Sequence, residues 1–120
     1  MEILEGNQMN LSRENYIEMY LKMQRIREFD LRINKLVRRG FVQGMTHFSV
    51  GEEAASVGAM AHLTYDDIIF SNHRGHGQFI AKDMDLNKMM AELAGKVNGV
   101  SKGRGGSMHL ADFEQGNYGT

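Results

Sequence analysis

The chain has 120 residues and a mass of 13.6 kDa, a length that suits one domain or part of a larger one. Fourteen Lys and Arg residues against fifteen Asp and Glu residues give a net charge of −1, which argues against a dedicated nucleic-acid binder. The absence of cysteine excludes a disulfide framework, a thiolate zinc site and a cysteine nucleophile. Neither a membrane-spanning run nor a signal peptide is visible, so we expect a cytoplasmic protein.

The first predicted element is a long amphipathic helix over residues 12–40, after a polar leader over residues 1–11. Ser12 suits the N-cap and Gly40 suits the C-terminal end. At 1.5 Å per residue this helix would extend about 42 Å, so we expect it to lie across another part of the molecule. Apolar residues at helical spacing predict its buried face, namely Tyr16, Met19, Tyr20, Met23, Ile26, Ile33 and Val37.

The remaining chain, residues 41–120, alternates between further elements. A second helix is expected after Gly51, because its leading acids suit the positive end of the helix dipole. Residues 68–70, Ile-Ile-Phe, predict a buried strand of a parallel sheet, and Asp85 is the predicted cap of a helix that reaches Ala94. In the second helix, the small residues Ala54, Ala55, Gly58 and Ala59 predict a buried face.

This order predicts an α/β fold, a long N-terminal helix followed by the beginning of a parallel-sheet domain. Only one strand is convincing, whereas a parallel sheet needs several. No apolar element stands near Thr120 to close a core. We therefore expect residues 41–120 to form an incomplete domain.

The strongest local signal for chemistry is the segment that follows the predicted strand, from Ser71 to Gly77. Arg74 offers a planar fork of donors for a phosphate or carboxylate, and His73 and His76 add further donors. The two glycines would let a ligand approach the backbone. The alternative is a polar surface loop with satisfied histidines. A metal site at the two histidines is weaker, because no third ligand is fixed nearby.

Two other segments carry weaker signals. The stretch from Ser101 to His109 combines Lys102 and Arg104 with three glycines, which predicts either an anion-binding loop or a flexible one. It matches neither a Walker loop nor a dinucleotide fingerprint. His47 precedes the second helix and is either a proton shuttle or a structural histidine.

Three ordered motifs give the chain a family resemblance. They are His47-Phe48-Ser49-Val50-Gly51-Glu52-Glu53-Ala54, His73-Arg74-Gly75-His76-Gly77 and Lys102-Gly103-Arg104-Gly105-Gly106-Ser107-Met108-His109. With the helical run Ile26-Arg27-Glu28-Phe29-Asp30, they resemble the N-terminal third of the α subunit of thiamine diphosphate-dependent 2-oxo acid dehydrogenases. This subunit belongs to the first, decarboxylating component of complexes that act on pyruvate, branched-chain 2-oxo acids or acetoin.

The resemblance implies roles for individual residues. Arg74 and His73 would hold the cofactor diphosphate, and His47 would be the catalytic residue beside the thiazolium and substrate. His76, Ser107 and His109 would be further cofactor-binding residues. Glu52 stands where many pyruvate-type members have Gln, and His73 stands where some have Tyr. Both variants recur in acetoin-type members, so the resemblance favours acetoin over pyruvate.

The resemblance also implies partners and a missing metal site. The family binds Mg²⁺ and diphosphate through Gly-Asp-Gly and a later Asn, but this chain has no Gly-Asp pair, so no metal ligands are expected in it. The glutamate that activates the cofactor lies on a β subunit, and the acyl-type product passes to a lipoyl-bearing acyltransferase. We expect a fragment of an α/β heterotetramer that is inactive alone. The alternatives are a truncated chain that acts through subunit contacts only, or an unrelated phosphoanion-binding module.

Overall fold

The computed structural model describes residues 11–120, so the predicted leader lies outside the described residues except for Leu11. Its helices are α1 (Arg13–Arg38), α2 (Glu53–Met60), α3 (His76–Ala81) and α4 (Leu86–Leu93), followed by two short 3₁₀ turns, Ser107–His109 and Phe113–Gln115. None of the helices in residues 11–120 has the length and hydrophobicity of a membrane span.

The boundaries of α1 confirm the predicted helix. The Ser12 hydroxyl accepts a hydrogen bond from the Asn15 N–H at 3.2 Å, and the Asn15 side chain accepts one in return from the Ser12 N–H at 2.9 Å. Gly40 ends the helix with φ of +76°, and its N–H donates to the Val37 carbonyl at 2.9 Å. A glycine tolerates this left-handed conformation without a steric penalty, so the chain turns here.

One side of α1 is packed against the rest of the protein, from Met19 to Val37. Ile26, Phe29 and Ile33 are buried, but Tyr16 and Tyr20 are 59% and 57% exposed, so the prediction that both tyrosines face the core is wrong. The helix has 26 residues and is therefore about 39 Å long. Its N-terminal half also contacts the rest of the protein, because Met19 packs against the core and the Lys22 Nζ atom donates to the Ala81 carbonyl at 2.8 Å.

The core lies between α1, α2 and α3, with α4 beside them. Val57, Phe79 and Met89 are at most 2% exposed and supply much of its apolar volume. Asp85 caps α4 by accepting hydrogen bonds from two N–H groups of the first turn, which confirms the prediction from sequence. By contrast, α3 was not predicted, because its six residues are too few to show a period.

The small residues of α2 do not form its buried face. Ala54, Ala55 and Ala59 are exposed, and a Cβ added at Gly58 would meet nothing within 4 Å. The expectation of burial is wrong here, because α2 turns a different side toward the core. The buried residues of this helix are Glu53, Ser56 and Val57.

The predicted strand is represented by a single parallel bridge, between Ile69 and Asn117. The Ile69 N–H donates to the carbonyl of Gly116 at 2.8 Å, and its own carbonyl accepts from the N–H of Tyr118 at 3.0 Å. Gly116 has φ of +68°, outside the extended region, so the partner segment turns before a ladder can form. Within residues 11–120 there is no strand, and a parallel sheet is not seen.

An ion pair connects α1 with α2. The Nε and Nη2 atoms of Arg27 donate to the two carboxylate oxygens of Glu53, the Nη2 bond measuring 2.9 Å. The Glu53 carboxylate also accepts from the Gly51 N–H at 3.1 Å. Hydrogen bonding by Arg27 lowers the pKa of the buried Glu53 carboxyl from 4.5 to about 2. This bidentate contact therefore fixes the start of α2 on α1.

Replacing Glu53 by Gln should lower the free energy of unfolding by about 1.5–3 kcal/mol at neutral pH, because charge-assisted hydrogen bonds are lost. A carboxyl group whose pKa is lower in the folded state than in the unfolded state stabilises the fold at pH values above its unfolded pKa. The difference between wild type and E53Q should therefore be complete above pH 4.5 and vanish as the pH falls toward 2. Urea denaturation across this pH range measures it.

The neighbouring Glu52 provides the matched control, because it is exposed and its side chain makes no capping hydrogen bond. Glu52→Gln should leave the free energy of unfolding nearly unchanged. An equal loss in both variants would contradict a specific role for the Arg27–Glu53 contact.

Candidate functional site

Two loops bring three of the predicted site residues together. His47 lies in the loop before α2, and His73 and Arg74 lie in the loop before α3. The rings of His47 and His73 meet edge to face, with centroids 4.7 Å apart. The Arg74 Nη1 atom donates to the Phe48 carbonyl at 3.0 Å, which joins the second loop to the first. We call His47, His73 and Arg74 the histidine–arginine cluster.

The cluster is accessible and electropositive. His73 and Arg74 are exposed, and His47 is half-buried. Partial burial lowers the pKa of His47, and the nearby charges of His73, Arg74 and His76 lower it further. A neutral imidazole beside a fixed guanidinium can accept a proton while the arginine attracts an anion.

His76 lies beneath the cluster and is fully buried. Its Nδ1 atom is 2.7 Å from the Oδ1 atom of Asp30, and its Nε2 atom is 3.0 Å from the hydroxyl oxygen of Ser107. Both ring nitrogens are therefore engaged within the protein, which leaves neither for the ligand contact expected from the sequence. Ser107 is also buried, so it too has an internal partner in place of an exposed hydroxyl.

Asp30 is the residue of this site that sequence reasoning missed. It lies in α1 and is fully buried. Its Oδ2 atom accepts a short hydrogen bond from the Ser49 N–H. The Ser49 hydroxyl in turn donates to the Arg74 carbonyl at 3.1 Å and accepts from the Gly77 N–H at 3.1 Å. Asp30 thus connects α1 to both loops of the cluster.

Gly75 and Gly77 serve internal packing, contrary to the expectation that they leave room for a ligand. Both are buried. A Cβ at Gly75 would stand 2.7 Å from the ring of Phe79, and one at Gly77 would stand 2.4 Å from the Ser56 hydroxyl. The space beside each glycine is filled by protein, so these glycines allow α3 to pack closely.

The glycine loop, residues 99–106, holds an internal anion. It folds around the carboxylate of Glu92, which lies in α4 and is 1% exposed. One carboxylate oxygen accepts from the N–H groups of Ser101 and Gly103, both at 2.8 Å. The other accepts from Gly105 and Gly106 at 2.7 and 3.3 Å. The loop is therefore an anion nest that the protein's own glutamate occupies.

Burial alone would raise the pKa of the Glu92 carboxyl, but the backbone hydrogen bonds outweigh it and lower that pKa. The basic side chains of the glycine loop, Lys102 and Arg104, remain exposed. His109 is exposed as well and makes none of the described contacts with the histidine–arginine cluster. Across residues 11–120, no group of three or more His, Asp or Glu side chains is placed to hold a metal ion.

Comparison with known proteins then identifies the chain's family. Residues 21–119 match the family model described as the dehydrogenase E1 component. The chain belongs to this family. It is 46% identical over 119 residues to the α subunit of an acetoin:2,6-dichlorophenolindophenol oxidoreductase from Bacillus subtilis (strain 168), covering 99% of this chain and 36% of that protein.

Two further relatives are also named as α subunits of oxidoreductases or dehydrogenases. A subunit with the same name from Cupriavidus necator is 46% identical over 109 residues, covering 91% of this chain and 33% of that protein. A pyruvate dehydrogenase E1 component α subunit from Rhizobium meliloti is 37% identical over 114 residues, covering 95% and 33%. The chain thus spans about a third of the length of these relatives. Membership of the family argues against an unrelated phosphoanion-binding module.

The Glu92 nest gives a direct prediction. In Glu92→Gln, either orientation of the amide places an NH₂ group against two backbone N–H groups, because each carboxylate oxygen accepts two of them. We expect the free energy of unfolding to fall by about 1–3 kcal/mol. Amide exchange at Ser101, Gly103 and Gly105 should become faster.

Glu114→Gln is the control, because Glu114 is exposed and its carboxylate accepts none of the described hydrogen bonds. It should change neither the stability nor the exchange rates. Unchanged protection of the glycine loop in Glu92→Gln would show that the carboxylate does not organise it.

Proposed function

We propose that this chain forms the N-terminal, cofactor-facing part of the α subunit of a thiamine diphosphate-dependent E1 dehydrogenase. The complete enzyme would cleave acetoin or a 2-oxo acid next to its carbonyl and pass the acyl-type unit to a lipoyl carrier. The observation that carries the proposal is the histidine–arginine cluster, in which two separate motifs of an E1 family member meet at one accessible site.

Arg74 fits the diphosphate end of the cofactor. Of its guanidinium donors, only one at Nη1 is used within the described residues, by the Phe48 carbonyl. This bond fixes the side chain and leaves donors for phosphate oxygens. His73 lies next to it and is exposed. The glycine loop does not contribute free N–H groups, because Glu92 already accepts from them, so we assign diphosphate binding to Arg74 and His73.

His47 fits proton transfer or substrate contact. Its lowered pKa keeps the ring neutral at physiological pH, so it can accept a proton or hydrogen-bond to a substrate hydroxyl. Its ring packs edge to face with the ring of His73. When bound, the cofactor would supply the carbanion that attacks the carbonyl and an electron sink for the cleaved bond.

We assign less direct roles to the other predicted cofactor residues. His76 and Ser107 would act from beneath the site, since both are buried and hydrogen-bonded to each other. His109 is exposed and available to a ligand or a partner subunit. The Mg²⁺ ligands would come from outside these residues.

Acetoin is the substrate that we favour over pyruvate. Glu52 and His73 match the variants found in acetoin-type members of the family that the sequence resembles. The two acetoin oxidoreductase relatives are 46% identical to the chain, whereas the Rhizobium pyruvate dehydrogenase relative is 37% identical. Both observations point in the same direction.

A larger assembly would complete the fold and the site. We propose that residues 41–120 are part of a parallel-sheet domain, and that a β subunit and a lipoyl-bearing acyltransferase are the partners of a cytoplasmic enzyme. The Ile69–Asn117 bridge has the parallel sense that such a sheet requires. Ile68 and Phe70 beside it are exposed, and the buried Asn117 amide has no hydrogen-bond partner within residues 11–120. Further strands would cover Ile68 and Phe70 and would supply hydrogen-bond partners for the Asn117 amide.

Arg74→Ala tests the site in the assembled enzyme. Loss of charge-assisted hydrogen bonds should weaken thiamine diphosphate binding by about ten- to a hundredfold, measured by calorimetry in the presence of Mg²⁺. Arg25→Ala is the matched control, because Arg25 is an exposed arginine on α1 away from the cluster. Unchanged affinity in Arg74→Ala would remove Arg74 from the binding site.

The 120-residue chain alone should not bind thiamine diphosphate with Mg²⁺ measurably, since the metal ligands would be missing. Calorimetry with the isolated chain tests this expectation. Tight, Mg²⁺-dependent binding would contradict the proposal that the site needs further residues. Binding of plain pyrophosphate at similar strength would instead favour a general anion site.

A further inference from the structure

We infer that Asp30, His76 and Ser107 act together as a buried relay that positions His47 and Arg74. The roles of His47 as a reacting group and of Arg74 as an anion-binding group rest on the proposed function. The relay itself rests only on hydrogen bonds within this chain. Its three side chains are at most 7% exposed and come from α1, α3 and the first 3₁₀ turn.

The hydrogen-bond directions in the relay follow from what each group can donate. A carboxylate only accepts, so the Nδ1 atom of His76 must carry the proton shared with Asp30. In a neutral ring the Nε2 atom then accepts, and the Ser107 hydroxyl donates to it. That leaves the lone pairs of the Ser107 oxygen for the His47 N–H, which lies 3.4 Å away. Hydrogen-bond donation therefore runs without conflict from the His47 N–H through Ser107 and His76 to the Asp30 carboxylate.

A second branch reaches Arg74. The other oxygen of Asp30 accepts from the Ser49 N–H, and the Ser49 hydroxyl donates to the Arg74 carbonyl. One carboxylate on α1 therefore holds the backbone of both site loops. The chain of contacts explains why a histidine within the His73–Gly77 motif faces the interior.

The order serine, histidine, aspartate is also that of a hydrolytic triad, but the environment argues against hydrolysis. Ser107 is 7% exposed, and its oxygen faces the His47 N–H. A nucleophile needs access to a carbonyl carbon and an oxyanion site beside it. The relay therefore positions the site, and its serine hydroxyl accepts a hydrogen bond from the His47 backbone N–H.

The wild-type protein allows a test that no folding defect can obscure. Nitrogen-15 NMR of the histidine side chains should show a proton at Nδ1 of His76. A His76 ring protonated at Nε2 alone would overturn the relay, because Asp30 would then face an unprotonated nitrogen.

Ser107→Ala tests the link to His47. Removing the acceptor should speed exchange of the His47 amide by about two- to tenfold, while α1 amides near Ile33 remain protected. The pKa of His47 should rise toward 6.5 as its loop relaxes. Ser107→Thr keeps the hydroxyl and should restore both values, a rescue that general destabilisation would not give. Ser101→Ala is the control, because the side chain of Ser101 makes none of the described hydrogen bonds.

Unchanged His47 exchange and pKa in Ser107→Ala would overturn the inference even if Arg74→Ala weakens the cofactor. The converse result is also possible. If Ser107→Ala changes the exchange rate and the pKa of His47 as expected, but Arg74→Ala binds the cofactor normally, the relay stands and only the proposed function is overturned. The two hypotheses therefore fail on different results.

Discussion

The buried carboxylate of Asp30 is the constraint on which the site depends. A charge that is fully removed from water must be hydrogen-bonded, because leaving it without partners is costly. Its partners come from two loops that are distant in sequence, through the Ser49 N–H and the His76 ring. The packing of these loops on α1 therefore also holds the histidine–arginine cluster together. The long helix serves as the platform for the site.

The same physical device recurs at Glu92. There a second buried carboxylate, on α4, gathers the backbone N–H groups of the glycine loop. The many glycines of this region now have a structural reason, since Gly103 has φ of +74° and no room for a Cβ beside Gly95. A loop that looks ready to bind an external anion from its sequence is already satisfied by an internal one. This leaves Arg74 as the main candidate for an external phosphate.

Local patterns in the sequence predicted what depends on local interactions. Caps and helical spacing gave α1 and α4 correctly, and the family motifs marked His47 and Arg74 as a possible site. Burial of the acids could not be read in this way, because it depends on contacts between distant segments. A signal was nevertheless present: Asp30 lies four residues after the buried Ile26, and Glu92 lies three after the buried Met89. An acid on the apolar face of a helix therefore predicts hydrogen-bond partners inside the protein. The expected strand pairs at a single bridge, because its partner segment turns at Gly116, which the local pattern around Ile69 does not indicate.

A double-mutant cycle between Asp30 and His76 tests the central claim most directly. The free energies of unfolding of Asp30→Asn, His76→Gln and the double variant would be measured by urea denaturation. Because the side chains share a buried hydrogen bond of 2.7 Å, we predict a coupling energy of about 1–3 kcal/mol. Asp30→Asn combined with His62→Asn, a change at an exposed histidine, should be additive. Additive effects of Asp30→Asn and His76→Gln would contradict the account.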